Sequence, residues 1–166
     1  VTLKDSGAAA ASGAGLVLSA VTASQTVAVA QACAPGLAPG CYVLDFNSAS
    51  PGAKQRAAEV VNAAGSRYVE GADMTSIKVP LLLGGPCAAA LPPHLQQLGF
   101  APQVCSAQLG VASATKMCRS VMIKGLEAMV IESFTTARHY GVEDALIASL
   151  HETFPAIDWE KQAAYF

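Results

Sequence analysis

The stretch 110–140, which contains no proline, constrains the fold more than any other feature of the sequence. As a single helix it would be about 45 Å long at about 1.5 Å per residue. Gly141 follows it, and glycine commonly ends helices in the left-handed conformation. Apolar residues recur along the stretch at helical spacing: Met117, Val121, Met122, Met129, Val130 and Phe134. This pattern predicts one long helix that is packed along most of its length.

Upstream of this stretch, short apolar runs alternate with helical patterns. Strands are predicted at 15–21, 41–46, 66–73, 78–85 and about 102–106, and helices at about 25–34, 51–64 and from Pro86 to about Leu98. This alternation predicts an α/β part with a mostly parallel sheet covered on both faces. Downstream of Gly110 only helices are predicted, including 142–154 and a last helix capped by Asp158. We therefore predict one domain over 1–109 and an all-α domain over 110–166.

Local signals suggest how individual helices begin. The first dozen residues are expected to form a weak helix or a linker. Thr22 or Ser24 is expected to cap the helix over 25–34, because short hydroxyl side chains accept from the first backbone N–H groups. Asn47 and Ser48 precede Pro51, which suits the first turn of a helix, so capping is one interpretation of both residues.

Composition excludes several classes of function. The net charge of −2 leaves no basic face for a nucleic-acid partner. The three histidines form no HExxH motif and the five cysteines no CxxC pair, so no metal is expected. Cys33, Cys87 and Cys118 fit buried, reduced thiols in a cytoplasmic protein. No signal-peptide pattern opens the chain, and no apolar run is long enough to cross a membrane.

Signatures of phosphate and ester chemistry do not occur in the sequence either. It contains no GxGxxG, no GxxxxGK[ST] and no GxSxG. The residues alone therefore indicate neither a pyrophosphate-binding turn nor a hydrolase nucleophile elbow.

Four segments, in this order, carry a resemblance to a known family: DFNSASP (45–51), RYVEGADM (67–74), PLLLGGP (80–86) and GVASATKMC (110–118). The chain resembles the β-hydroxyacid dehydrogenases, which include the 3-hydroxyisobutyrate and 6-phosphogluconate dehydrogenases. It is most similar to the branch with a phosphogluconate-dehydrogenase-like C-terminal domain, over about residues 14–165. The resemblance implies the second half of a Rossmann-type parallel sheet, a long interdomain helix and an all-α domain. The first βα units and the last helices of the family have no counterpart, so the chain is expected to be incomplete at both ends.

The resemblance also implies site residues and a cofactor, NAD or NADP. Lys116 matches the family's catalytic lysine, which moves the proton of the oxygen on the carbon that exchanges hydride. Asn47 and Ser48 fall on the loop that holds the substrate, and Ser120 stands where many relatives have an asparagine. Val21, Thr22 and Ala23 follow the strand that ends beside the nicotinamide. Because Asn47 replaces a commoner serine and Ser120 an asparagine, the substrate is expected to differ from those of the standard members.

Each of these residues also has a structural interpretation. Lys116 alone would be interpreted as a surface lysine, and Lys124 as structural or adjacent to the substrate. Glu70 and Asp73 could form a carboxylate pair, but they are expected to be solvated charges at a strand end. The spacing of the methionines on the long helix is expected to reflect core packing: Met117, Met122 and Met129.

Two functional hypotheses follow. The first is an NAD(P)-dependent oxidoreductase that transfers a hydride between nicotinamide and a small hydroxy acid, with Lys116 as general acid/base. The second is a truncated, non-catalytic relative that serves as a dimerising module, and the lack of a phosphate loop in this chain favours it. Under either hypothesis a homodimer or higher homo-oligomer is expected, because the closing helices are too apolar and too few to bury themselves.

Overall fold

The computed structural model describes residues 2–73 and 81–165. The chain forms two compact units, Val1–Met117 and Cys118–Phe166. The division between them falls inside the long helix, so the sequence of that helix belongs partly to each unit.

The first unit is built on a five-stranded sheet whose spatial order follows the chain. Its strands are β1 (Leu16–Ser19), β2 (Tyr42–Asp45), β3 (Arg67–Ala72), β4 (Leu81–Gly84) and β5 (Pro102–Ser106). The first three strands are mutually parallel, β4 is antiparallel to β3, and β5 is parallel to β4. The predicted mostly parallel sheet is therefore confirmed, with one antiparallel pair. Residues 78–80 of the predicted fourth strand lie outside the described residues.

Seven α-helices accompany the sheet in the described parts of the chain. They are α1 (Gly7–Ala11), α2 (Thr26–Cys33), α3 (Pro51–Ala63), α4 (Pro92–Gln97), α5 (Val111–Tyr140), α6 (Glu143–Thr153) and α7 (Trp159–Tyr165). The predicted helix from Pro86 is wrong in extent, since only a 3-10 turn at Ala88–Ala90 precedes α4. The two consecutive prolines explain this, because proline lacks the N–H that a helix interior needs and suits the first turn instead.

The caps of α2 and α3 differ from the predicted ones, whereas Asp158 accepts from the Lys161 N–H at 3.0 Å at the start of α7, as predicted. Ser50 caps α3, its hydroxyl accepting from the Ala53 N–H at 3.3 Å, so neither Asn47 nor Ser48 has this role. At α2 the N-cap position is Gln25, without a side-chain cap. The predicted caps Thr22 and Ser24 are therefore also wrong, because Thr22 precedes a 3-10 turn at Ala23–Gln25 and Ser24 lies within it.

Side chains of the central strands pack on both faces of the sheet. Val43 and Tyr68 belong to the core under α1, α2 and α3, whereas their neighbours Leu44 and Val69 belong to the core under α4. Burying an aliphatic side chain of this size contributes about 1.5–3 kcal/mol. Both faces of the central strands are covered, as the continuous apolar runs of the sequence predicted. The prediction is wrong for the edge strands, since Leu18 on β1 and Val104 on β5 are exposed.

The second unit leaves much of the long helix uncovered. Val121, Met122 and Met129 are 70%, 65% and 61% exposed, and Met117, in the first unit, is also exposed. The prediction that α5 and its methionines pack along most of the helix is therefore wrong for the chain by itself. Phe134 and Ala137 are buried near the end of α5, where Arg138 donates to the Ala163 carbonyl of α7 at 2.8 Å.

The cysteines are less buried than the sequence suggested. All five are free thiols, and only Cys41 is fully buried. Cys33 and Cys87 are half-buried, and Cys118 is exposed because it lies on an uncovered face of α5. The prediction of buried thiols at these three positions is therefore wrong.

Candidate functional site

The loops that follow β1 and β2 meet at one edge of the sheet, because parallel strands end on the same side. Asn47 joins them. Its side-chain carbonyl accepts from the Val21 N–H at 2.6 Å, and its amide donates to the Ser19 hydroxyl at 3.1 Å. Asn47 is only 4% exposed, so its side chain holds the two strand ends together.

Asp45, the last residue of β2, organises the loop that carries Asn47 and Ser48. One carboxylate oxygen accepts from the Asn47 N–H at 2.8 Å and from the Lys54 ammonium at 2.9 Å. The other accepts from the Tyr68 hydroxyl at 2.6 Å. All of these groups are buried. Charge-assisted hydrogen bonds of this kind are the stronger ones in proteins, so the start of the loop is firmly fixed.

Burial changes the titration of this cluster. Removal from water raises the pKa of Tyr68 far above its usual value, and the neighbouring Asp45 and Glu70 carboxylates raise it further. Burial lowers the pKa of Lys54, an effect that Asp45 opposes. The Lys54 ammonium lies 2.9 Å from the Asp45 carboxylate, and a neighbouring opposite charge favours the charged form of the lysine and so offsets part of the effect of burial.

Glu70 lies fully buried beside this cluster on β3. One of its oxygens accepts from the N–H groups of Gly110 and Ala112, both at 2.9 Å, and the other accepts from the Ser113 hydroxyl at 2.9 Å. The carboxylate therefore caps the start of α5. The prediction of a solvated charge is wrong for Glu70, because the central position of β3 removes it from water; Asp73, just past the strand, is exposed.

Lys116 lies on α5 one turn after this cap. Its ammonium donates to the Ser48 hydroxyl at 2.9 Å. Lys116 is half-buried and Ser48 is exposed, so the pair is accessible from solvent at the sheet edge. The structure thus brings together two of the predicted site residues that are far apart in sequence.

The remaining predicted residues lie in exposed positions. Val21, Thr22 and Ala23 follow β1 after one intervening residue, at the same sheet edge. Ser120 is exposed on the part of α5 that belongs to the second unit. Lys124 forms an exposed ion pair with Glu127 at 2.6 Å, and such surface pairs contribute little to stability.

Sequence reasoning missed Lys54 and Tyr68, although the sequence holds a signal for the lysine. The buried residues of α3 are Lys54, Ala57, Ala58 and Val61. These positions follow the spacing of a single helix face, so a lysine at the first of them is expected to point into the core and to require a buried anion.

A cavity of about 430 Å³ adjoins this cluster on the side of β1 and α2. Its lining is mainly apolar, and Asp45, Tyr68 and Ser19 supply polar groups. Within residues 2–73 and 81–165, no group of three His, Cys, Asp or Glu side chains is placed to hold a metal ion. No helix in this described part is long and apolar enough to cross a membrane.

Comparisons with known proteins agree with this architecture. A conserved hypothetical protein from Sinorhizobium meliloti 1021 is 38% identical and superimposes with a TM-score of 0.77 over 94% of this chain and 54% of its own. An uncharacterised 28.5 kDa protein from Methanothermus fervidus is 31% identical over 140 residues, which are 83% of this chain and 54% of that protein. No family profile matches the chain. The chain spans about half the length of these relatives.

More distant structures identify the fold. A conserved protein described as structurally similar to 3-hydroxyacid dehydrogenases is 26% identical, with a TM-score of 0.74 over 90% of this chain and 57% of its own. A 3-hydroxyisobutyrate dehydrogenase from Mycobacterium tuberculosis, solved with L-serine, is 15% identical with a TM-score of 0.75, over 96% of this chain and 58% of its own. An imine reductase from Myxococcus stipitatus, in complex with NADP+, is 19% identical with a TM-score of 0.75, over 92% and 57%. The predicted fold class is confirmed, and the resemblance to the β-hydroxyacid dehydrogenases holds at the level of the fold.

Proposed function

We propose that this chain provides the acid/base part of an NAD(P)-dependent oxidoreductase that acts on a small hydroxy acid. The observation that carries the proposal is the 2.9 Å contact between the Lys116 ammonium and the Ser48 hydroxyl at the carboxyl edge of β2. In α/β sheets, ligands bind outside the carboxyl ends of the strands. The fold of the dehydrogenases described above supports the same interpretation.

The chemistry needs a group that moves one proton. When an alcohol is oxidised, its carbon gives up a hydride and its hydroxyl gives up a proton, and reduction reverses both transfers. Lys116 is the proposed acid/base for the hydroxyl proton. Ser48 is the proposed hydrogen-bond partner of a substrate oxygen, since its hydroxyl already lies within reach of the ammonium.

Asn47 has a different proposed part in this site. Its side-chain amide is engaged with Ser19 and Val21, so it acts on the substrate by fixing the loop that presents Ser48. Ser120 is proposed as a further substrate contact. Nucleotide binding is proposed for residues 1–109, and substrate binding and dimerisation are proposed for residues 110–166.

The residues present fit one end of a dinucleotide. Bound NAD or NADP would supply the acceptor or donor of the hydride. The exposed segment of Val21, Thr22 and Ala23 would hold the nicotinamide end, where it adjoins the loop of Ser48. A pyrophosphate requires a glycine-rich turn, and this sequence contains no such motif.

The test is turnover of small 2- and 3-hydroxy acids with NAD and NADP, followed through the absorbance of the reduced nicotinamide. Loss of the general acid/base in Lys116→Met is expected to lower kcat by about 10²–10⁴-fold with little change in KM. Lys4→Met, at an exposed position before α1, is the control and keeps wild-type turnover. Equal turnover of wild type and Lys116→Met would disprove the assignment.

The alternative is a non-catalytic dimerising module, and the exposed apolar residues of α5 are the observation that favours it. Under this alternative the protein forms a stable dimer yet oxidises no hydroxy acid with either cofactor. A titration with NADH and NADPH, followed by fluorescence, separates the two hypotheses, because a catalytic protein must bind the cofactor in order to use it.

A further inference from the structure

We propose that Glu70 is a positioning residue that sets the place of Lys116 relative to Ser48. The catalytic meaning of this inference rests on the proposed function, whereas its geometric content does not. The argument begins with the neighbouring strands: Asp45 on β2 and Glu70 on β3 are register partners in the parallel sheet. Two buried carboxylates therefore stand side by side.

Each carboxylate holds one half of the Lys116–Ser48 pair. Asp45 accepts from the Asn47 N–H and so fixes the loop directly before Ser48. Glu70 accepts from the first N–H groups of α5 and from Ser113, which precedes Lys116 by less than one turn. The position of the lysine backbone then follows from the cap, because a helix is rigid over such a short distance.

Each carboxylate has its own set of stabilising partners. Lys54 compensates the charge of Asp45, and the Tyr68 hydroxyl donates a hydrogen bond to it. The N–H groups at the start of α5, which have no partner within the helix, and the positive end of the helix dipole stabilise Glu70, as helix N-termini do for anions.

Steric fit supports the assignment independently. A Cβ on Gly84 would overlap the carboxylate of Glu70, so the glycine leaves the space that the side chain fills. Gly110 has φ +94°, and a Cβ there would approach Pro51 at 3.2 Å. The backbone at the start of α5 therefore packs closely against Glu70 on one side and the start of α3 on the other.

The test measures the accessibility of the Lys116 amine by trace acetylation and mass spectrometry, which needs neither substrate nor cofactor. The exposed Lys4 is the reference for the reagent, and the buried Lys54 reports unfolding. In Glu70→Ala we expect the acetylation of Lys116 relative to Lys4 to rise by about fivefold. Loss of one helix cap changes the equilibrium between held and released lysine by about this factor. Ser113→Ala, which removes one of the three contacts, changes the rate less and in the same direction.

Glu70→Gln is the matched control. Its amide carbonyl can accept from Gly110 and Ala112, and its N–H₂ can donate to the Ser113 hydroxyl, which turns toward the Gly110 carbonyl at 3.2 Å. The labelling of Lys116 is therefore expected to stay at the wild-type level. In a Ser48→Ala background, where the contact is already lost, Glu70→Ala is expected to add nothing further.

An unchanged Lys116 rate in Glu70→Ala with Lys54 still protected overturns the proposal. If Glu70→Ala exposes Lys54, then Ser113→Ala decides in the same way. An effect that persists in the Ser48→Ala background also contradicts the proposal, since it indicates general loosening. Labelling that behaves as expected, together with unimpaired turnover of Lys116→Met, would uphold the geometry and reject the proposed function.

Discussion

At the scale of single residues, the ammonium of Lys54 forms an ion pair with Asp45 in a fully buried setting. Lys54→Met leaves the Asp45 carboxylate without its cation. Breaking a buried pair in this way costs about 3–5 kcal/mol, and we expect that loss in the free energy of unfolding measured with urea. The double variant Asp45→Asn/Lys54→Met is expected to recover part of it, because no charge then remains unpaired. A loss no larger than that of the exposed Lys4→Met would contradict this.

Tyr68 makes stability depend on alkaline pH. Its pKa is raised in the folded chain, whereas in the unfolded chain a phenol ionises near pH 10. Above that pH the folded chain holds one proton more than the unfolded chain, so the free energy of unfolding falls as the pH rises. We expect Tyr68→Phe to lessen this fall by up to about 1.4 kcal/mol per pH unit. Tyr140→Phe, at an exposed position, serves as the control; if its slope equals that of Tyr68→Phe, the interpretation fails.

The sequence could predict some of these residues and not others. Lys116 and Ser48 followed from the family resemblance, which short motifs carry, and the structure places the two side chains in contact. The role of Glu70 could not be predicted, because its partners lie 40–43 residues away and depend on where α5 begins. Asn47 was predicted as a helix cap or a substrate contact. The structure excludes the cap, because Asn47 links the ends of β1 and β2 and Ser50 caps α3, and the substrate contact stays a prediction.

At the scale of elements, Gly84 and Gly125 offer a contrast. In Gly84→Ala the new methyl group displaces Glu70 from the start of α5, and overpacking of this kind costs about 1–3 kcal/mol. At Gly125, within α5, a Cβ would meet nothing within 4 Å among the described residues. Gly125→Ala is therefore expected to stabilise by up to about 1 kcal/mol, since alanine favours the helix. Thermal unfolding of both variants checks the opposite signs; a stabilised Gly84→Ala would exclude the proposed fit.

Element boundaries were predictable where proline or glycine marks them. Pro51 opens α3, and α5 ends at Tyr140, one residue before Gly141, whose φ is +67°. The prediction failed at α4 because the apolar pattern after Pro86 continues through a 3-10 turn, which spacing alone does not distinguish from an α-helix. The exposure of α5 was equally unpredictable, since periodicity shows which face is apolar and not what covers it.

At the scale of the whole molecule, the exposed apolar residues of the second unit lead to a prediction of self-association. Val121→Glu and Met122→Glu place charges on this surface and are expected to shift a dimer toward monomer in light scattering. Leu98→Glu is the control, because Leu98 is 60% exposed and belongs to the first unit. A dimer that survives both helix variants would place the interface elsewhere.

The fit between Gly84 and Glu70 also restricts how this sequence can change over evolutionary time. A lineage that acquires alanine at 84 while glutamate remains at 70 passes through an unstable intermediate, because the two side chains compete for one volume. Shortening residue 70 first opens a viable route, so the double variant Glu70→Asp/Gly84→Ala should be more stable than Gly84→Ala alone. The two positions are then expected to vary together, and the substitution at residue 70 is expected to precede the one at residue 84.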